Sequence, residues 1–143
     1  MSRSFGDEPS RAGQSGQTVL VVEDEGIIRE LAARVLRRAG YVVIEAGGAE
    51  DALGAVGTGP RKLDLLVSDI SLESRRGGLF LFEDLRRRNG ELRAVFISGY
   101  SVDRLAEMGG LPAGAGFLEK PFESGELLAM VRGVLGRSGT VRD

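Results

Sequence analysis

Short apolar runs alternate with stretches of helical periodicity along most of the chain. Thr18–Val22 (TVLVV) is a β-branched run of strand length, with the near-continuous apolar character of a strand buried on both faces. Ile27, Ile28, Leu31, Ala32, Val35 and Leu36 then recur at helical spacing, and Gly40 suits the position just past a helix end. Residues 41–45 (YVVIE) predict a second strand, and Ala49, Ala52, Leu53 and Val56 a short helix ending near Gly57. A third strand is expected over 63–67 (LDLLV), a helix over 79–88 closed by Asn89-Gly90, and a strand over 94–97 (AVFI). Residues 102–108 predict a helix with few apolar anchors, Val102, Leu105 and Met108. Residues 116–118 are poor strand formers, and only their place in the alternation predicts a strand. The last helix is expected over 124–135, with Ser124 as N-cap, Glu126 in the first turn, and Leu127, Leu128, Val131 and Leu135 on one side.

Five strand–helix units at this spacing imply an α/β fold, a parallel sheet with helices on both faces and right-handed connections. Ligands in such sheets gather at the carboxyl ends of the strands, where the strand order reverses. The 143 residues suit one domain, expected over 17–137. Residues 1–16 are polar, rich in Gly and Ser and aperiodic, so they predict a disordered tail, and 138–143 a short C-terminal one.

Composition narrows the chemistry. There is no cysteine and no histidine, which removes a thiol nucleophile, a histidine base or phosphodonor, and Cys- or His-based metal sites. Any reaction must use carboxylates, hydroxyls, lysine and backbone. A net charge of −2 lacks the basic surplus of a nucleic-acid-binding domain. No apolar run approaches the roughly 18 residues of a membrane span, and no signal core is visible at the N-terminus. A cytoplasmic location without membrane or nucleic-acid partners is therefore expected. Of 19 basic residues only Lys62 and Lys120 are lysines, so a lysine here marks a place where arginine does not serve.

The predicted strands end in Glu23-Asp24-Glu25, Ser68-Asp69, Ser98-Gly99 and Glu119-Lys120-Pro121. Taken singly, each has an ordinary reading: a solvated acidic loop, a helix cap, a turn serine, a surface turn. Taken together they converge on one pocket. Two like charges about 4 Å apart repel by about 4 kcal/mol at an effective dielectric near 20, so Glu23, Asp24 and Asp69 need neutralising. Lys120 offsets one charge, and Mg²⁺, which favours one or two carboxylates, waters and a phosphate oxygen, offsets more. An aspartate beside Mg²⁺ is already anionic and attacks phosphorus without a general base. With Lys120 and the Ser98 hydroxyl stabilising the incoming oxygens, the product is an aspartyl phosphate.

VLVVEDE, LVSDI, VFISGY and FLEKPF, in this order, resemble the signature of the receiver domain of two-component response regulators, over roughly residues 17–137. The resemblance implies a flavodoxin-like five-stranded sheet of order 2-1-3-4-5 with five helices, an order carried over from the family rather than read from these residues. It implies Asp69 as phosphoacceptor and Glu23 and Asp24 as the acids holding Mg²⁺, with the backbone carbonyl of Ser71 as a further ligand. Ser98 would be the switch hydroxyl, Lys120 the phosphate-binding lysine and Phe117 the switch aromatic, though Phe117 equally suits the strand core. Lys120-Pro121 resembles the family's cis peptide. Tyr100, two residues past Ser98, stands where the family varies its dephosphorylation rate, and a partner contact is an equal reading. Glu73 departs from the family's usual proline, and 71–78 (SLESRRGG) predicts a longer, mobile loop carrying a solvated Arg75-Arg76 pair. Gly109, Gly110, Gly114 and Gly116 loosen the stretch after the fourth helix.

The function this implies is a Mg²⁺-dependent phosphorelay receiver, mainly a signalling switch that catalyses its own phosphotransfer and autodephosphorylation. It takes a phosphoryl group from a histidine kinase or a histidine phosphotransfer protein. It passes the signal to a protein target through the face of the fourth helix, fifth strand and fifth helix. No DNA-binding segment follows the last predicted helix, so direct transcription control is not expected. The alternatives are a small phosphatase working through an aspartyl phosphate, and an adaptor that keeps the acids without being phosphorylated.

Overall fold

The computed structural model describes residues 16–56, 62–72, 77–107 and 109–140. In chain order they form β1 (Thr18–Val22), α1 (Gly26–Arg38), β2 (Val42–Ala46), α2 (Ala49–Val56), β3 (Leu65–Asp69), α3 (Gly77–Arg88), β4 (Arg93–Ser98), α4 (Val102–Glu107), β5 (Gly116–Glu119) and α5 (Ser124–Thr140). All strand pairings are parallel, and the sheet runs β2-β1-β3-β4-β5. The order reverses between β1 and β3, so the carboxyl ends of those two strands flank the switch point.

The period of two within each strand sorts its apolar residues between two cores. Val19, Val21, Leu65, Val67, Val95 and Ile97 face α1 and α5, meeting Ala32, Leu36, Leu127 and Val131. Leu20, Val22, Leu66, Ala94 and Phe96 face the other side, against Ala52 of α2, Leu81, Phe82 and Leu85 of α3, and Leu105 of α4. Phe82 and Phe96 meet edge-to-face, their centroids 5.8 Å apart. Burial on both faces explains why the strands read as unbroken apolar runs. Among the described residues no helix is long and apolar enough to cross a membrane.

Several boundaries differ from the sequence expectation, each for a local reason. β2 starts at Val42 rather than Tyr41, because the Tyr41 amide donates to Leu36 O while Gly40 N donates to Arg37 O, the paired bonds of a Schellman cap closing α1. β3 is displaced to Leu65–Asp69, since Leu63 N donates to the Asn89 side chain and Asp64 uses its carboxylate on Thr18 N. The third helix takes in Gly77 and Gly78, so the loop expected over 71–78 ends earlier. α5 continues to Thr140, past the expected end and into the predicted tail; Gly136, Ser138 and Gly139 broke the periodicity, but no proline stops the helix. β5 was poorly legible because of Gly116, where a Cβ would lie 2.7 Å from Met130 Sδ and 2.9 Å from Val134 Cγ2; the glycine lets α5 approach the sheet. Residues 1–15, Gly57, Glu73, Arg75, Arg76, Met108 and 141–143, on which the sequence reading also drew, lie outside the described residues.

Gly78 positions the site directly. A Cβ there would stand 2.4 Å from Asp69 O and 2.8 Å from Ser68 Oγ, while Gly78 N donates to Ile70 O at 3.1 Å. The first turn of α3 thus lies hard against the end of β3. Gly78→Ala is expected to destabilise the protein by about 1–3 kcal/mol, the usual cost of overpacking, since backbone must shift. Urea denaturation checks this, and an unchanged midpoint would contradict the close approach.

Candidate functional site

The backbone beyond each strand stays locked to the sheet, which fixes the side chains at its carboxyl edge. Glu23 N donates to Ala46 O at 3.1 Å, prolonging the β1–β2 pairing, and Ile70 N donates to Ile97 O at 2.9 Å, prolonging β3–β4. Glu23 and Asp69 are buried, 1% and 5% exposed. Asp24 is their solvent-facing neighbour, and carboxylate oxygens of the three lie within 4.8 Å of one another.

Lys120 reaches this cluster from the end of β5, held by a bond from its own amide to Ser98 O at 2.8 Å. Its Nζ lies 2.8 Å from Asp69 Oδ2, 3.2 Å from Glu23 Oε1 and 3.2 Å from Glu25 Oε1. The other Asp69 oxygen, Oδ1, accepts from Ser71 N at 2.8 Å. That bond brings the Ser71 backbone into the site through its amide. The Lys120-Pro121 peptide is cis, as the resemblance implied.

Electrostatics follow from burial. Burial is the main cause that pushes the Glu23 carboxyl up to about 7, reinforced by the Asp69 charge; the Glu25 amide and Lys120 act the other way. Burial works against the Lys120 ammonium, but its bond to Asp69 and the charges of Asp69 and Glu23 prevail and raise it. Glu23 Oε1 is buried and accepts no hydrogen bond, although Nζ is near. An orphaned buried carboxylate oxygen among hard oxygen donors is chemistry that fits a divalent cation such as Mg²⁺.

Ser98 ends β4, fully buried and in register with Glu119, and its Oγ accepts from Tyr100 N at 2.8 Å. Tyr100 is 37% exposed, and the Arg104 guanidinium of α4 stacks over its ring at 5.4 Å. Phe117 on β5 is half-buried against the α2–α3–α4 core.

Two neighbours were missed in the sequence. Arg29 of α1 donates to Glu23 O at 2.7 Å and pairs with Glu45 of β2, which Arg37 also reaches. It lies three, four and seven residues before the buried Ala32, Ala33 and Leu36, on the inward side of the helix, and an apolar pattern passes over a polar residue there. Glu25 was visible as an acid but received no role.

Acids and a lysine at the switch point of a 2-1-3-4-5 sheet define a flavodoxin-like α/β protein with a charged pocket at its carboxyl edge. Residues 19–132 match the model of the response regulator receiver domain, and the chain belongs to that family. It is 38% identical over 120 residues to the sensor kinase CckA of Brucella abortus, covering 82% of this chain and 12% of that protein. It is 34% identical over 129 residues to the phosphate regulon regulator PhoB of Pseudomonas aeruginosa, covering 87% and 54%. The response regulator receiver protein of Sinorhizobium medicae superposes with a TM-score of 0.73 at 27% identity, covering 85% of this chain and 95% of that one. The chain thus spans about half the length, or less, of these curated relatives. Receiver domains bind Mg²⁺ at an acidic pocket and interact with histidine kinases or phosphotransfer proteins, and the acidic group is present here.

Proposed function

We propose that Asp69 accepts a phosphoryl group from the phosphohistidine of a histidine kinase or histidine phosphotransfer protein. The observation that carries this is the Asp69–Lys120 contact of 2.8 Å inside a three-carboxylate cluster at the switch point. Ser71 N and Lys120 each hold one oxygen of the Asp69 carboxylate, orienting a nucleophile that needs no general base. Glu23, Asp24 and Asp69 would hold Mg²⁺, with the Ser71 carbonyl as a further ligand; the bound ion supplies charge neutralisation for the phosphoryl oxygens. Lys120 adds a second positive charge. The Ser98 Oγ accepts from Tyr100 N, which leaves its own proton available to donate to a phosphoryl oxygen.

That donation, with inward movement of Lys120, would repack Phe117 and shift the face of α4, β5 and α5 toward a state that binds a protein target. The family match supports this switch over a small phosphatase, and the intact acid–lysine set supports it over an adaptor that is never phosphorylated. The deciding experiment is phosphotransfer from a panel of purified histidine kinases with Mg²⁺, followed by peptide mapping. The expected product is an adduct on Asp69, and labelling confined to another residue would refute the assignment.

Tyr100 bears on the lifetime of that adduct. The hydrolytic water approaches phosphorus in line, and a bulky ring two residues past Ser98 shields that approach. Tyr100→Ala is expected to speed autodephosphorylation several-fold. An unchanged rate with weaker partner binding would make Tyr100 a contact residue instead.

A further inference from the structure

Glu25 breaks a local rule. It holds the N-cap position of α1, with φ −84° and ψ 109°, where a side-chain oxygen ordinarily accepts an amide of the first turn, yet it makes no capping bond. Its Oε1 lies instead 3.2 Å from Lys120 Nζ, with the side chain 62% exposed. An ammonium has three N–H donors. Here they go to Asp69 Oδ2 at 2.8 Å, Glu25 Oε1 at 3.2 Å and Glu23 Oε2 at 3.4 Å. Lys120 therefore has no donor for a phosphoryl oxygen until one acceptor lets go. Asp69 and Glu23 are buried, and Glu23 is also held by the Glu25 amide at 3.2 Å. Of the three, Glu25 is the carboxylate that water readily takes over.

We propose that Glu25 is a specificity-determining residue that disfavours small anionic phosphoryl donors: its carboxylate occupies Lys120 and places a negative charge at the mouth of the pocket. This rests on Asp69 being the phosphoacceptor. In transfer from an acyl phosphate, a P–O bond forms to an Asp69 oxygen and the P–O bond to the acyl oxygen breaks. The leaving carboxylate keeps the electron pair, and no proton changes hands. Such a donor meets Glu25 with nothing but its own charge, whereas a phosphohistidine arrives on a protein surface whose other contacts offset the repulsion.

The test compares the wild type, Glu25→Gln and Glu91→Gln. Glu91 is an equally charged control at the opposite edge of the sheet, 87% exposed and paired with Lys62. Labelling by acetyl phosphate with Mg²⁺ and binding of beryllofluoride with Mg²⁺ are both measured at low and high salt. Glu25→Gln should label about two- to five-fold faster and bind beryllofluoride more tightly by a similar factor, the range expected for one exposed ion pair. The gain should shrink at high salt, with Glu91→Gln like the wild type. No gain in Glu25→Gln while the wild type labels at Asp69, or an equal gain in Glu91→Gln, overturns the proposal. Wild-type labelling away from Asp69 overturns the functional reading and this inference with it.

Discussion

Asp69→Asn is expected to abolish phosphoryl acceptance while leaving the fold intact. The amide oxygen can still accept from Ser71 N, which now bonds Asp69 Oδ1 at 2.8 Å, so the end of β3 keeps its anchor. The amide nitrogen is a donor and a poor nucleophile, and it faces another donor, Lys120 Nζ. Transfer needs an anionic oxygen at that position, and no other carboxylate in the pocket is held both by a backbone amide and by Lys120 at comparable distance. Labelling by a cognate kinase should fall below detection, with cooperative urea unfolding retained. Residual labelling of the variant at Glu23 or Asp24 would move the acceptor to the acid pair.

The second large effect is on pH dependence. Glu23 is raised from 4.5 to about 7 in the folded chain. Between these values the folded state holds a proton that the unfolded state has released. Without metal, Glu23 therefore contributes stability that is complete below about pH 4.5 and is lost as pH rises through about 7. The shift corresponds to a loss on the order of 3 kcal/mol. Mg²⁺ held by Glu23 would reverse the trend, because a ligand must be deprotonated to bind and binding stabilises only the folded state. Urea midpoints of the metal-free protein should fall between pH 5 and pH 8, and added Mg²⁺ should raise them far more at pH 8 than at pH 5. Glu23→Gln should flatten both responses. A metal-induced gain that survives in Glu23→Gln/Asp24→Asn would place the cation elsewhere.

How much of this was legible in the sequence follows from what each signal measures. The strands were readable because burial on both faces makes runs such as TVLVV continuous, and the helices because one apolar face repeats. Asp69, Glu23 and Lys120 were found because strand ends in a parallel sheet must converge, and a lysine among arginines stands out. Boundaries shifted where a backbone amide had a competing partner, as Tyr41 N does with Leu36 O. β5 was obscured because Gly116 is set by the depth of α5 packing, which no local propensity contains. Arg29 and Glu25 were missed because their partners lie on other elements: a carbonyl of the β1–α1 turn, and a lysine 95 residues away.

That separation has a consequence for biosynthesis. Lys120 is 51 residues from Asp69 and 97 from Glu23 along the chain, and it reaches them only because β5 pairs with β4 at the sheet's edge. Such non-local contacts are slow to form, because loop-closure entropy is paid before they are made. During translation the carboxylates leave the ribosome well before their counter-charge, so a nascent chain that has not yet added β5 carries the acidic cluster without the lysine. A polypeptide truncated in that interval would keep the buried carboxylates with no lysine to offset their charge.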